Sequence, residues 1–259
     1  MCTTINLKPK TMKKHILLLA AVCTAFMLKA GDLTVNGHGG GGDSKLTIGI
    51  SVGAGIPMGD LGNKTRDTVA ADSNKAHGFA NTGFHFNASA SYIFAGPLGV
   101  MVSIGGNMNS FDGPTYTSVN KYPSGESATG TSYYIGEYLV GPCLSLGQSS
   151  LKINIHALVG LVTANAPTVT TTFSGGSVVS SQPSTSGFGY NFGAGIKYNF
   201  NEKMGLLVDL GYTGATETYT GYTYVQNYGS STLTTTNNGH KAIMNVGIFT
   251  ATVGIAFNL

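Results

Sequence analysis

The amino-acid sequence predicts an all-β fold, an eight-stranded antiparallel up-and-down transmembrane β-barrel, and three observations carry this prediction. Large apolar residues recur at every second position in segments of roughly ten residues, and a period of two places successive side chains on opposite faces of a β-strand. Charged residues make up only 10% of the 259 residues, against about 25% in a typical soluble protein. The connections between the segments alternate between short and long, as in outer-membrane barrels.

Eight segments show the alternation and are the predicted strands, at 46–56, 84–94, 98–111, 132–146, 151–162, 188–200, 204–214 and 242–259. The clearest is FGYNFGAGIKYNF at 188–200, in which bulky residues hold one track while Gly, Asn and Lys hold the other. Its length exceeds the usual five to six residues of a strand by about twofold. These segments therefore suit strands that cross a layer thicker than an ordinary sheet.

The connections predict the orientation of the barrel. Three are tight turns, at 95–97, 148–150 and 201–203, and the others are long and rich in Gly, Ser, Thr, Asn and Tyr, at 57–83, 112–131, 163–187 and 215–241. An even strand count places both termini at the short-turn end, which is the periplasmic side. The period of two continues in 218–236 and recurs in 168–180, which predicts strands that protrude beyond the membrane.

The N-terminus has the features of a secretory signal peptide at 1–30. Lys13 and Lys14 precede an apolar run of 13 residues at 16–28, which is shorter than the ~20 residues of a membrane helix. Ala30 is the expected cleavage point, and Met12 is an alternative start. A Gly-rich periplasmic spacer at 31–44 and the barrel at 45–259 follow, so we expect an exported protein with a cleaved signal.

Charge and cysteine content exclude several classes of protein. Five of the 14 basic residues precede the first acidic residue, so nine basic residues face 11 acidic ones in the remainder. A nucleic-acid partner is therefore not expected, since it requires a basic footprint. Three cysteines, at 2, 23 and 143, offer neither an internal disulfide after signal removal nor a CxxC-type metal site. We expect no metal and no cofactor.

The apolar tracks indicate lipid as their neighbour. Within the segments of membrane height they carry no charged residue, and a lipid-facing Lys or Arg at the midplane would cost ~2–4 kcal/mol. Aromatic residues gather at two heights, as the two interfaces of a bilayer select. The predicted aromatic girdle comprises Phe84, Phe86, Tyr92, Phe94, Phe188, Tyr190, Tyr198 and Phe200.

The opposite tracks are mostly Gly, Ser and Asn and are predicted to face a narrow lumen. Their ionisable residues form a predicted charged cluster of Lys152, His156, Lys197, Asp209 and Glu137. The turn at 201–203 makes Lys197 and Asp209 close to diagonal neighbours. One interpretation is a charged constriction or a gate of switching ion pairs. The other is a set of structural pairs inside a filled barrel, which is usual for eight strands.

Three segments carry a resemblance to a known family: LTIGISVGAGIPMGDLG at 46–62, EYLVGP at 137–142 and FTATVGIAFNL at 249–259. Over about 45–259 the chain resembles the eight-stranded porin-family barrels of Gram-negative outer membranes, of the OmpX, opacity-protein and OmpA-barrel type. The resemblance implies an outer-membrane location. It also implies contact with the bilayer and lipopolysaccharide, and periplasmic chaperones and the barrel-insertion machinery as partners.

The C-terminus departs from this family. Its members usually end on Phe or Trp, the signal that the insertion machinery reads, whereas this chain ends on Leu259 with Phe257 two positions earlier. Phe257 still lies on the correct alternating track. The resemblance therefore assigns the insertion signal to Phe257 and Leu259, with the terminal residue changed.

Two functions remain open at this point. The first is a non-enzymatic surface protein whose barrel is an anchor and whose Tyr- and Thr-rich loops bind a host or cell-surface ligand or shield the barrel. The second is a small passive pore, for which inward-facing glycines leave room. An enzyme is not expected. A catalytic pair needs a base and a nucleophile, and neither His85 nor His156 is followed two positions later by a serine. His77 and His240 lie in serine-containing loops, which leaves a spatial pairing open there.

Overall fold

The computed structural model describes residues 45–65, 76–148 and 150–259. The predicted signal peptide and Gly-rich spacer lie outside these residues. Eleven strands and two short helices are described: β1 (Leu46–Met58), α1 (Gly59–Gly62), β2 (Gly83–Ala95), β3 (Leu98–Asn109), α2 (Gly113–Val119), β4 (Ser127–Gly130), β5 (Tyr133–Gln148), β6 (Leu151–Asn165), β7 (Val169–Phe173), β8 (Gly176–Ser181), β9 (Thr185–Asn199), β10 (Met204–Tyr228) and β11 (Ser231–Asn258).

Eight of the strands close into a barrel. β1, β2, β3, β5, β6, β9, β10 and β11 pair in this order, each antiparallel to the next. β11 also pairs with β1, from Asn258 opposite Thr47 to Gly247 opposite Met58, which completes the ring. The predicted eight-stranded up-and-down barrel is therefore confirmed. Closure leaves no strand edge along the ring, which a lipid-exposed sheet requires.

The two ends of the barrel differ. At one, which we call the turn end, β2–β3, β5–β6 and β9–β10 are joined by short turns. Gly96 sits in the first turn with φ of +56°, a conformation that glycine adopts at little cost. Both Leu46 and Asn258 also lie at this end. The other, which we call the loop end, carries the long connections.

An apolar belt surrounds the barrel. Large apolar side chains on the outward tracks remain exposed on every barrel strand, among them Ile50, Phe86, Ile104, Val140, Ile153, Phe192, Leu210 and Val253. The most exposed rings are Phe188 at 71% and Phe200 at 61%. Water would disfavour so continuous an apolar surface, whereas acyl chains accept it, so the barrel is built to span a membrane.

The inside of the barrel has two different halves. Its loop-end half holds an apolar core of Leu61, Ala80, Tyr133, Ile135, Leu139, Leu158, Val162, Ala164, Ala215, Tyr219, Ala242, Met244, Val246 and Ile248. The turn-end half is lined by polar side chains such as Ser51, Ser103 and Thr252. The predicted lumen of Gly, Ser and Asn thus describes the turn-end half, and polar side chains such as Asn109 are the exception in the loop-end half.

Additional strands form a sheet beyond the loop end, which we call the outer sheet. Its order is β11–β10–β8–β7–β4, in which only the outer parts of β10 and β11 take part. The hairpin predicted at 218–236 is confirmed, because β10 and β11 stay paired up to Tyr228 and Ser231. The second predicted protrusion, at 168–180, is the β7–β8 hairpin.

The connection after β1 packs onto the loop end of the barrel. Leu61 of α1 is fully buried in the apolar core, and the hydroxyl of Tyr133 donates to the Gly78 carbonyl at 2.8 Å. Lys64 Nζ lies 2.7 Å from Asp112 Oδ2, and Oδ1 of the same aspartate caps the start of α2 by accepting from the Thr115 amide. These contacts add a covering layer between the apolar core and the outer sheet.

Candidate functional site

A chain of hydrogen-bonded side chains crosses the lumen at the boundary between its polar and apolar halves. We call it the lumen network, and its hydrogen-bonded members are His85, Asn107, Glu137, Thr213, Asn191 and His156. Asp209 faces His156 at 3.9 Å and is counted with them. These residues come from six different strands of the ring, β2, β3, β5, β6, β9 and β10. The network therefore fixes most of the wall at one level.

Glu137 stands at the centre of the network. Its Oε1 accepts from Asn107 Nδ2 at 2.7 Å, and its Oε2 accepts from the Thr213 hydroxyl at 2.9 Å. Since Asn107 uses its amide to donate, its Oδ1 must accept from Nδ1 of His85, 3.0 Å away. Glu137 is buried, and both of its oxygens are satisfied by neutral donors.

The second arm leads to His156 and Asp209. Asn191 Nδ2 donates to Thr213 Oγ1 at 2.9 Å, so Asn191 Oδ1 accepts from Nε2 of His156 at 2.8 Å. The other ring nitrogen of His156, Nδ1, then faces Asp209 Oδ2 at 3.9 Å. This arrangement suits an ion pair when His156 is protonated.

The remaining predicted lumen residues lie at the turn end. Lys152 and Lys197 are cross-strand partners on β6 and β9. Lys197 Nζ donates to Thr47 Oγ1 at 3.1 Å and to Asn258 Oδ1 at 2.9 Å, bridging to the strands that close the ring. In the β9–β10 register Lys197 lies opposite Leu207, which is two positions from Asp209. Lys197 and Asp209 are therefore diagonal neighbours, and each contacts other partners.

Two small cavities accompany the polar side chains. One, of about 20 Å³, lies within the lumen network, and the other, of about 40 Å³, lies nearer the turn end. Met101, His156 and Asp209 contribute to the walls of both. About 10–15 Å³ is needed to hold one water. The cavities therefore have room for a few waters, and the apolar core fills the lumen on their loop-end side.

The chemistry that these groups offer is limited. In the described residues, the polar partner of each lumen histidine is an asparagine or an aspartate, and neither contacts a serine or cysteine at hydrogen-bond distance. His77 bonds to Asn63 and the Thr65 carbonyl, and His240 packs edge-on against Tyr222. No group of three or more His, Cys, Asp or Glu within the described part is arranged to hold a metal.

The outer sheet is the second candidate site. On one of its faces, which we call the hydroxyl face, the strand register aligns side chains from neighbouring strands in three rows. The rows are Thr129, Thr170, Val179, Val225 and Thr234; Ser127, Thr172, Ser177, Asn227 and Thr232; and Ser181, Thr223 and Thr236. Ten of these thirteen residues carry a hydroxyl and none carries a charge. Such a face is polar yet costs little to dehydrate compared with a charged one.

The opposite face of the outer sheet is partly covered. α2 packs beneath β4, where Ala128 is buried, and an aromatic cluster continues the contact. The Phe79 and Tyr116 rings meet edge-on with centroids 5.1 Å apart, and Phe111 contacts the same tyrosine at 5.4 Å. The outer sheet is therefore held by a small core of its own.

One edge of the outer sheet is open. β11 pairs with β1 only up to Gly247, with a single further bridge from Val246 to Gly59, and the Ile243 carbonyl accepts from the Ala76 amide. Beyond these contacts every residue from 231 to 241 is exposed, and within the described residues β11 is paired there on its β10 side alone. We call residues 231–237 the open edge.

A bulge separates the open edge from the barrel. Thr220 pairs with Lys241 and Tyr222 pairs with Asn237, so three residues of β11 face one glycine of β10. That glycine, Gly221, has φ of +86°. Bulges bend and twist a strand, and this one turns the outer hairpin relative to the barrel wall.

Glu217 is the least expected side chain of the barrel's loop end. It is fully buried, and neither of its carboxylate oxygens has a hydrogen-bond partner among the described residues. It lies beyond the apolar belt, since its outward neighbour Thr216 bonds to Asn245, which bonds to Asp60. Burial raises the pKa of Glu217 to about 7. The nearby Thr185 hydroxyl donates to the Thr218 carbonyl rather than to the carboxylate.

Sequence reasoning missed the residues that connect the network. Asn107, Asn191 and Thr213 lie on inward tracks, but an uncharged inward side chain carries no signal of its partner across the lumen. Glu217 was also missed. A carboxylate on the inward track of 204–228 could have been found by continuing the alternation of β10 past position 214.

Comparisons with known proteins give similarity to solved structures alone. No protein-family model matches the chain, and no curated protein matches it. Neisserial surface protein A is 14% identical, with 85% of this chain and 100% of that chain covered and a TM-score of 0.45. A major outer membrane protein from Thermus thermophilus is 14% identical, covering 83% and 99%, with a TM-score of 0.46.

The outer membrane protease OmpT from Escherichia coli is also similar, at 9% identity, 84% and 97% coverage and a TM-score of 0.48. At such identities the likeness concerns the fold, and we transfer no function from it. Among the described residues, no helix is long and apolar enough to cross a membrane.

Proposed function

We propose that this chain is a non-enzymatic surface protein of an outer membrane, in which the barrel is the anchor and the outer sheet binds. The observation that carries the proposal is the outer sheet itself, in which the participating parts of five strands carry no charge and one edge is open. This sheet stands on a barrel whose loop-end half is filled. A pore needs no such sheet, and an anchor needs no open lumen.

The proposed orientation places the loop end outside the cell and the turn end in the periplasm. Barrels of outer membranes carry short periplasmic turns and long external loops. Lipopolysaccharide and phospholipid then contact the apolar belt. Periplasmic chaperones and the insertion machinery act before folding, with Phe257 and Leu259 as the recognised C-terminal signal. A cleaved signal peptide at 1–30 remains part of the proposal.

A small passive pore is the second candidate. The polar turn-end half, with its two cavities and the lysines 152 and 197, favours it. Against it stands the apolar core, because an ion crossing it would lose its hydration without replacement ligands. Eight-stranded barrels are in general just filled by their side chains.

Planar-bilayer conductance of the refolded protein separates the two candidates. We expect no discrete channels from protein whose folded state is verified by heat-modifiable gel migration. Leu158→Gly combined with Val162→Gly removes two buried core side chains and is the matched control, for which we expect conductance. Channels in the unaltered protein that change with Lys197→Ala or Asp209→Ala would establish the pore and overturn the anchor.

The binding role is tested by shortening the outer hairpin. Replacing 221–240 with Asn-Gly joins Thr220 to its cross-strand partner Lys241 through a two-residue turn. The belt and core are untouched, so the barrel should fold. We expect cells that display the variant to lose adherence to other cells and to protein- or glycan-coated surfaces. Undiminished adherence would contradict the proposal.

A further inference from the structure

We propose that the open edge pairs with the open edge of a second copy of this chain in an opposing membrane, so that the protein joins two membranes. This inference rests on the proposed surface role and names the partner of the outer sheet. Residues 231–237, Ser-Thr-Leu-Thr-Thr-Thr-Asn, are the strand that forms the contact.

The open edge lacks the devices that normally prevent such pairing. Exposed edges are usually blocked by charged side chains, by proline or by very short strands. Residues 231–237 contain neither a charge nor a proline, and all seven are exposed. The opposite edge of the outer sheet, β4, has four residues and lies against α2. The unpaired amides and carbonyls of β11 are therefore the available ones.

A second copy suits this edge because its sequence is self-complementary. An antiparallel pairing centred on Thr234 places Thr232 opposite Thr236 and Leu233 opposite Thr235. All of the Thr–Thr pairs then lie on the hydroxyl face, where cross-strand hydroxyl pairs are favourable. Because no charge is present, two identical edges do not repel each other.

Symmetry decides where the second copy stands. Two identical strand edges pair symmetrically only in the antiparallel sense, through a two-fold axis perpendicular to the sheet. This axis reverses the direction of β11, which runs from the tip of the outer sheet toward the barrel. The loop ends of the two barrels then face each other. This is the arrangement of two barrels that are inserted in two apposed membranes.

A pairing of seven residues is weak on its own, since an isolated two-stranded contact is marginal in water. Many copies on each of two apposed membranes act together, and this multivalency raises the overall affinity without any new contact. The bulge at Gly221 sets the hairpin at an angle to the barrel wall. The open edge is thereby presented beyond the membrane surface.

The test uses the full chain inserted into two vesicle populations of phosphatidylcholine, each labelled with a different lipid dye. We expect docking between populations when both carry the protein. Thr234→Lys places like charges opposite each other at the two-fold axis and should reduce the docking rate at least tenfold. Thr172→Lys lies on the same face away from the edge and is the matched control, which should dock normally.

A cysteine experiment tests the register. Thr234→Cys should form a disulfide between vesicles, and Thr232→Cys should crosslink to Thr236→Cys but not to itself. Equal docking by Thr234→Lys, docking to protein-free vesicles, or no docking by verified folded protein would each overturn the pairing. If the protein does not dock to itself but adherence to other surfaces still depends on the outer hairpin, only the pairing is overturned and the proposed function stands. Discrete channels in the planar-bilayer assay would instead overturn the proposed function.

Discussion

The hydroxyl of Thr213 donates to Glu137 Oε2 at 2.9 Å across the lumen, joining β10 to β5, which are not neighbours in the ring. The same Thr213 oxygen accepts from Asn191 Nδ2. One side chain therefore connects both arms of the lumen network. Its loss leaves a buried carboxylate oxygen and a buried amide without their partner.

Thr213→Val tests this connection. We expect the free energy of unfolding to fall by roughly 1–3 kcal/mol for each partner left unpaired. Thr250→Val is the matched control, a buried lumen threonine whose hydroxyl makes only a 3.3 Å contact with the Gly211 carbonyl. Urea titration of both variants in lipid vesicles measures the difference. Equal stability of the two would show that the network does not brace the wall.

Glu217 predicts a pH dependence of stability. Burial raises the pKa of its carboxyl to about 7 from a model-peptide value of 4.5. The folded state then binds a proton that the unfolded state releases, so stability is fully present below 4.5 and falls as the pH rises toward 7. The fall is on the order of 3 kcal/mol.

Glu217→Gln isolates this effect. The neutral amide cannot ionise, so we expect the variant to be more stable than the unaltered protein at pH 8 and similar to it at pH 4. Unfolding free energies measured across this range give the answer. A constant difference between the two proteins at every pH would mean that Glu217 is not the titrating group.

The Lys64–Asp112 pair predicts the opposite pH dependence at the covering layer. The hydrogen bond from Lys64 lowers the pKa of Asp112 below its ordinary value. The stabilisation is therefore present above the unfolded pKa and is lost as the pH falls through the folded one. Because the pair is partly exposed, we expect at most about 1 kcal/mol.

Limited proteolysis of α2 measures this local effect. Asp112→Asn keeps an oxygen that can accept from the Thr115 amide but removes the charge beside Lys64. We expect cleavage at neutral pH to be faster in the variant than in the unaltered protein, because the variant has lost the charge that pairs with Lys64. A variant as resistant as the unaltered protein at neutral pH would contradict the role of the pair.

The barrel was predictable because lipid imposes a repeated local pattern. Every second residue of 188–200 must be apolar whatever its partner strand, so one strand suffices to show it. The apolar core was also visible in part, since Leu158 and Val162 lie on the inward track of 151–162. The Gly, Ser and Asn around them indicate a polar lumen throughout, so the local pattern does not single out these two residues as part of a core.

The outer sheet and the lumen network depend on distant partners instead. Nothing in TVTTTF at 168–173 indicates that β7 pairs with β4, or that β8 pairs with the outer part of β10. Likewise, the pairing of His156 with Asn191 depends on the register of two strands 35 positions apart. Local alternation fixes which face a side chain occupies, and closure of the ring fixes its partner.

The apolar belt predicts a strong dependence on position along a single strand. Leu210 and Thr218 both point outward from β10, but Leu210 lies within the belt, whereas Thr218 lies beyond it, between Thr216 and Thr220 on the same track. Leu210→Arg should lower the free energy of unfolding in lipid vesicles by ~2–4 kcal/mol, and Thr218→Arg by at most about 1 kcal/mol. Reversible urea unfolding measures both. The two variants carry the same charge on the same face of the same strand and differ only in depth. Equal losses of unfolding free energy would therefore mean that the bilayer does not lie at the apolar belt.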